Sequence, residues 1–175
     1  MFSSIKWKFV TVYLLLVLMA MIIVGVFIVQ KFQAQQLENR KITLIKQIET
    51  LISTSDYLSG DNWLDYSEDI QNTLNKWRFS GTEVLYVIHD IDIPRIIATS
   101  HIKYDEINGS NALAYKSLDP SLIFSAYDGD IVDGIKRDSN KNVVFQHLAY
   151  PVVNEIGQVK GILYMPDDIQ DVYRT

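Results

Sequence analysis

The sequence predicts an α+β protein: one membrane-crossing helix that continues into a long helix, then a domain built on a five-stranded antiparallel sheet. Three observations carry this. Phe9 to Gln30 is an uncharged apolar run, Lys31 to Ser55 is made of strong helix formers without Pro or Gly, and beyond residue 82 the texture changes to short β-rich runs separated by turn residues.

The run Phe9–Gln30 lies between Lys8 and Lys31. At about 1.5 Å per residue it reaches roughly 33 Å as a helix, enough for a hydrocarbon core of about 30 Å. A cleavable signal peptide has a shorter apolar region ending in small residues, and neither condition is met here. The 145 residues after Gln30 suit one domain with its own core. They carry 14 basic against 21 acidic residues, a surface that repels nucleic acid. The absence of cysteine excludes a disulfide framework, a thiol nucleophile and a thiolate metal site. Lys6 and Lys8 on one flank face Lys31, Arg40 and Lys41 on the other, so charge alone leaves the membrane orientation undecided.

From Lys31 to about Ser55 an amphipathic helix is expected to leave the membrane. Ala34, Leu37, Lys41, Leu44, Ile48 and Leu51 follow the 3-4 spacing of a coiled-coil seam, and Ile45 and Ile52 widen the stripe later on. Leu37, Leu44, Ile48 and Leu51 are the candidate dimer and signalling seam; packing of the same helix in cis is the alternative. Ser53 to Asp56 stop this helix. Trp63, Tyr66, Ile70, Leu74 and Trp77 recur at helical spacing and predict a second helix from Trp63 to about Arg78, ended by Phe79, Ser80 and Gly81.

Glu83 to His89 is an unbroken apolar row and predicts a strand buried on both faces, with Arg95 to Ser100 as its hairpin partner. Short helices are expected near Ala112–Ser117 and Pro120–Ala126. A meander follows: Ile131–Arg137, a turn over DSNKN (Asp138–Asn142), Val143–Val152, a turn over Asn154–Gly157, and Gln158–Met165. Pro166, Asp167 and Asp168 are expected to cap a last helix that is only begun when the sequence stops at Thr175, so a continuation is expected, with a naturally short C-terminal helix as the alternative. Helices over one face of about five antiparallel strands is the order of a PAS/Cache-like domain, whose usual sheet order is 2-1-5-4-3.

His89, His101 and His147 match no metal-ligand spacing. Asp138, Asn140 and Asn142 open like a calcium loop, but Val143 stands where glycine is needed and Ala149 where glutamate is needed. Asp128, Asp130 and Asp133 read as an acidic loop leading into a strand. No nucleophile elbow, P-loop or dinucleotide fingerprint is present, so no catalytic, cofactor-binding or metal-ligating residue is assigned. Tyr86, Arg95, Tyr104, Arg137 and Tyr150 are the candidates to line a small-ligand pocket on one sheet face, with a structural role for the tyrosines as the alternative.

The segments KFVTVYLLLVLMAMIIVGVFIVQKF (Lys8–Phe32), IIATS (Ile96–Ser100), YPVVNEIGQVKGILYM (Tyr150–Met165) and DIQDVY (Asp168–Tyr173) resemble the N-terminal region of the WalK, YycG or VicK type of sensor histidine kinase of low-GC Gram-positive bacteria. The resemblance implies that residues 1–8 are cytoplasmic, 9–30 span the cell membrane, and 31–175 form the extracytoplasmic sensor. Within the sensor, 31–55 is the leading helix and 166–175 starts an outgoing helix toward a second span. It implies a homodimer in the lipid bilayer that feeds a cytoplasmic kinase, and a response regulator reached only through that missing part. Such kinases regulate cell-wall metabolism, and other membrane proteins or a cell-wall ligand are the expected partners outside. ATP and Mg would belong to the continuation, because the phosphoacceptor histidine and ATP site have no counterpart among these residues. A stand-alone anchored binding protein, or the input domain of a chemoreceptor or cyclase, is the alternative.

Overall fold

The computed structural model describes residues 5–77, 83–138 and 143–173. The chain divides into two compact units at Glu38/Asn39, and α1 (Ile5–Thr54) contributes to both. In the first unit the helix is apolar all round: Phe9, Leu14, Leu16, Met21, Ile23 and Phe27 are all exposed. By length and composition it is long and apolar enough to cross a membrane.

The second unit opens on the rest of α1. Ser55 follows it and caps a single-turn helix, α2 (Asp56–Ser59), by accepting a hydrogen bond from the Leu58 N–H at 3.3 Å. The helix expected from Trp63 begins later, as α3 (Ser67–Lys76). Trp63 lies in a turn because its indole Nε1 donates to the Leu58 carbonyl (3.1 Å), which bends the chain back over the end of α2. The 3-4 spacing of apolar residues therefore runs through a turn before it reaches a helix. Arg78 to Gly81, and most of the turn Asp138–Asn142, lie outside the described residues.

The strands are β1 (Tyr86–His89), β2 (Arg95–Thr99), β3 (Val132–Asp138), β4 (Val143–Val153) and β5 (Val159–Asp168). They form one antiparallel sheet in the order β2-β1-β5-β4-β3, the expected 2-1-5-4-3. Side chains alternate between its faces. Leu85, Val87, Leu163, Met165, Leu148 and Val152 pack under Leu44, Ile48 and Leu51 of α1, with Trp63 and α3. Tyr86, Ile88, Ile162, Tyr164 and Ala149 pack on the other face against α4 (Tyr104–Ile107), a 3-10 turn (Ala112–Ala114) and α5 (Pro120–Tyr127).

Helices thus cover both faces, not the one face expected. The apolar row of β1 requires this, since Tyr86, Val87 and Ile88 are all buried and point alternately to opposite sides. The leading helix also packs in cis: Leu44, Ile48 and Leu51 are 2 %, 0 % and 0 % exposed within their own domain. These three are core residues and are not available as a dimer seam; Leu37, in the first unit, is half-buried.

β5 continues through Pro166 to Asp168, where a helix cap was expected. The proline is tolerated because β1 pairs with β5 no further than Tyr86–Tyr164, which leaves β5 edge-like on that side. Asp168 still steadies the start of α6 (Gln170–Tyr173) from two residues ahead, its Oδ1 accepting from the Gln170 N–H at 2.9 Å.

Candidate functional site

Two polar constellations hold the second unit together. In the first, Arg40, one residue inside the unit, meets the end of β5 and the start of α6. Its Nη1 donates to Asp167 Oδ2 (3.0 Å) and to the Asp168 carbonyl (3.3 Å), and its Nη2 donates to Asp171 Oδ2. One guanidinium therefore ties the segment by which the chain enters the domain to the segment by which it leaves, 127 residues later. Next to it Lys41 Nζ pairs with Asp133 Oδ1 of β3 at 2.7 Å.

The Asp167 side chain is 5 % exposed and that of Arg40 30 %. Burial pushes the Asp167 carboxyl up, Arg40 opposes that shift, and Glu83 and Asp171 add to it as like charges. The clamp is an incompletely compensated buried charge, held where two ends of the domain meet.

The second constellation lies on the opposite face. Asp119, the cap of α5, donates its N–H to the Tyr164 hydroxyl (2.9 Å), and that hydroxyl lies 2.9 Å from His147 Nδ1. With the imidazole proton on Nε2, the hydroxyl accepts from Asp119 and donates to Nδ1; with it on Nδ1, the hydroxyl accepts from both. Burial, helped by the Lys136 ammonium and opposed by Asp119, lowers the His147 pKa to about 4. The unfolded chain then takes up a proton near 6.5 that the folded chain refuses until about 4. Stability is expected to fall as pH drops through that interval, by about 3 kcal/mol. Unfolding titrations of H147F against the parent check this: the variant should lose the slope between pH 6.5 and 4.

The sequence-predicted pocket residues do not converge. Tyr86 faces α4 and α5, whereas Tyr150 packs on the α1 side. Arg95 and Arg137 are exposed on β2 and β3, the opposite edge strands of the sheet, four strand spacings or about 19 Å apart across it, and they stand toward opposite ends of those strands, Arg95 level with Gly161 and Arg137 opposite Val144. Tyr104 stands half-buried at the start of α4. No single face brings these five together, because side-chain alternation and strand order, which decide it, are long-range properties.

The three histidines are likewise separate: His89 Nδ1 is 2.8 Å from the Lys160 carbonyl, His101 Nδ1 accepts from the Lys103 N–H, and His147 bonds Tyr164. Among the described residues no group of three or more His, Asp or Glu is placed to hold a metal. Arg40 was legible only as a flanking charge. The signal that points to it is a lone arginine in a leading helix whose other cations are lysines, matched by Asp167, Asp168 and Asp171 at the far end of the chain.

The class defined by this architecture is the PAS/Cache-like fold: a long leading helix, a 2-1-5-4-3 antiparallel sheet, and helical segments over the distal face. No family model matches the chain. It is similar to the sensor histidine kinase WalK of Bacillus subtilis (strain 168), 25 % identical over 177 residues that take in 98 % of this chain and 28 % of WalK. The chain therefore spans little more than a quarter of that relative. Among solved structures, the periplasmic domain of RsbU from Chlamydia trachomatis shares the fold with a TM-score of 0.52 and 18 % identity, over 82 % of this chain and 50 % of that one. The sensor domain of the V. cholerae histidine kinase DctB aligns with a TM-score of 0.49 and 16 % identity, over 83 % of this chain and 57 % of that one.

Proposed function

We propose that the chain is the signal-input portion of a membrane-bound sensor histidine kinase of the WalK type, anchored by Phe9–Gln30 with its sensor unit outside the cytoplasmic membrane. The observation that carries this reading is the Arg40 clamp, which joins the incoming helix to the outgoing segment at one end of the sheet. An input module must report a change in its body at the point where the chain returns to the membrane, and a shared charge at that point does so. A stimulus that shifts the sheet relative to α1 changes how Arg40 is divided between Asp167 and Asp171, and so biases a two-state pair of helices. Similarity to WalK across almost the whole chain supports the same assignment.

In this reading the chain works as a homodimer, and autophosphorylation, its ATP and Mg, and transfer to a response regulator belong to the continuation beyond Thr175. Control of cell-wall homeostasis is the output proposed. The test is a chimera in which this chain replaces the aligned segment of B. subtilis WalK, assayed for autophosphorylation in membrane vesicles. Kinase activity set by the sensor unit, and altered when residues 56–165 are excised, is expected. Activity identical with and without the sensor unit refutes the reading and favours a stand-alone anchored binding protein.

A further inference from the structure

The end of the sheet opposite the clamp presents aliphatic side chains to solvent. The β1–β2 turn and the β4–β5 turn emerge there side by side, because β1 and β5 are neighbours and His89 pairs with both Arg95 and Gly161. Lys160 reaches from the start of β5 to the Ser59 and Gly60 carbonyls (2.7 and 2.8 Å), which brings the loop before α3 to the same end. Ile91, Ile93, Ile156 and Leu64 on these three loops are 59 %, 50 %, 76 % and 61 % exposed.

The loops are held rather than slack. Asp90 adopts a left-handed backbone (φ 77°), its Oδ1 accepts from the Asp92 N–H at 3.0 Å, and its carbonyl accepts from the Tyr127 hydroxyl at 2.8 Å. Asn154 Oδ1 accepts from the N–H groups of Ile156 and Gln158. Aliphatic side chains fixed outward on braced turns lose little freedom when covered.

The charge around them selects what covers them. Asp65, Asp90, Asp92 and Glu155 are exposed on the same loops. Lys160, the cation nearest the centre, is turned inward on backbone carbonyls with its side chain 6 % exposed, and Arg95 stands at the foot of the β1–β2 turn. Anionic lipid headgroups and nucleic acid are repelled by this rim. A second copy meeting it tip to tip sets carboxylates against carboxylates.

We infer that this tip is a docking surface for a cationic amphipathic polypeptide, whose apolar side covers Ile91, Ile93, Ile156 and Leu64 and whose Lys or Arg side chains face the acidic rim. The inference stands whether or not the chain drives a kinase.

The test uses the whole chain in nanodiscs of zwitterionic phosphatidylcholine, with empty nanodiscs as the blank. The probe is a fluorescein-labelled Leu–Lys amphipathic helix of about 14 residues, four turns, read by anisotropy. Its Leu–Glu counterpart and a scrambled Leu–Lys peptide serve as controls. Saturable binding of the Leu–Lys helix alone is expected, weakening as salt rises from about 0.05 to about 0.3 M. I91S/I156S should weaken it at least about 10-fold, since two aliphatic anchors are lost. D92N/E155Q should weaken it less and flatten the salt dependence. These positions are exposed, so unchanged thermal melts verify that both variants fold.

Equal binding of the Leu–Glu or scrambled peptide overturns the inference, as does binding that both variants leave intact, or none. Self-association that I91S/I156S abolishes assigns the surface to a second copy. Adsorption to phosphatidylglycerol vesicles that I91S/I156S abolishes assigns it to a membrane. Either result also overturns the inference.

Discussion

R40A is expected to lower the stability of the second unit by about 3 kcal/mol at neutral pH, while D167N costs less than about 1 kcal/mol. The asymmetry follows from burial. Removing Arg40 strands the Asp167 carboxylate, whose side chain is 5 % exposed, beside the like charges of Glu83 and Asp171. Removing the Asp167 charge leaves Arg40 30 % exposed and still bonded to Asp171. The pH dependence has a definite sign. Burial already raises the folded-state pKa of Asp167 above its ordinary value, so its contribution to stability grows as pH falls through that raised value. In R40A the opposing influence of the guanidinium is gone and the pKa rises further. The carboxyl is then neutralised at a higher pH, and the gap between R40A and the parent should narrow from pH 7 toward pH 4. Urea unfolding of both proteins across that range measures it; a gap that widens on acidification contradicts the charge account.

G161A is expected to destabilise the domain by about 3 kcal/mol or more. A methyl group there meets the carbonyl oxygen of Ile88 at 2.6 Å and overlaps the ring of Trp63. Neither neighbour has room to yield. The Ile88 carbonyl belongs to β1, the second strand of the sheet. Trp63 is 0 % exposed, fixed by its bond to the Leu58 carbonyl, and covered by Lys160 with Nζ 5.6 Å from the ring centroid. Gly161 is therefore the flat spot on β5 that lets a tryptophan from a turn lie against the sheet. Thermal unfolding of G161A beside G157A separates this from a turn effect. Gly157, with φ 80°, has nothing within 4 Å of an added Cβ, so G157A reports backbone strain alone and should cost only about 1 kcal/mol.

Much of the fold was legible because it is encoded locally. The row Val84–Ile88 announces a strand covered on both sides, Asp119–Pro120 announces a cap and first turn, and the spacing of Gly157 and Asn154 announces a hairpin. What escaped the sequence depends on contacts between distant residues. The periodicity from Trp63 to Trp77 looks like one helix, and only the bond from the Trp63 indole to Leu58 and the glycine on β5 show that its first turn is separate. The heptad spacing of Leu44, Ile48 and Leu51 suits a partner helix as well as a sheet; burial beneath the domain's own strands decides for the sheet. The proposed pocket failed for a related reason, since Arg95 and Arg137 are both strand residues but lie on opposite edges. The clamp joins Arg40 to Asp167 across nearly the full domain, and no local pattern encodes such a pair.

The central claim is that the clamp couples the body of the sensor to its outgoing segment. The most direct measurement places R40A in the WalK chimera and compares its autophosphorylation in vesicles with that of the parent chimera, at a temperature where circular dichroism shows both folded. A change in kinase activity of at least about fivefold, equivalent to about 1 kcal/mol of shifted equilibrium, is the predicted result. Unchanged activity in a folded R40A chimera contradicts the account.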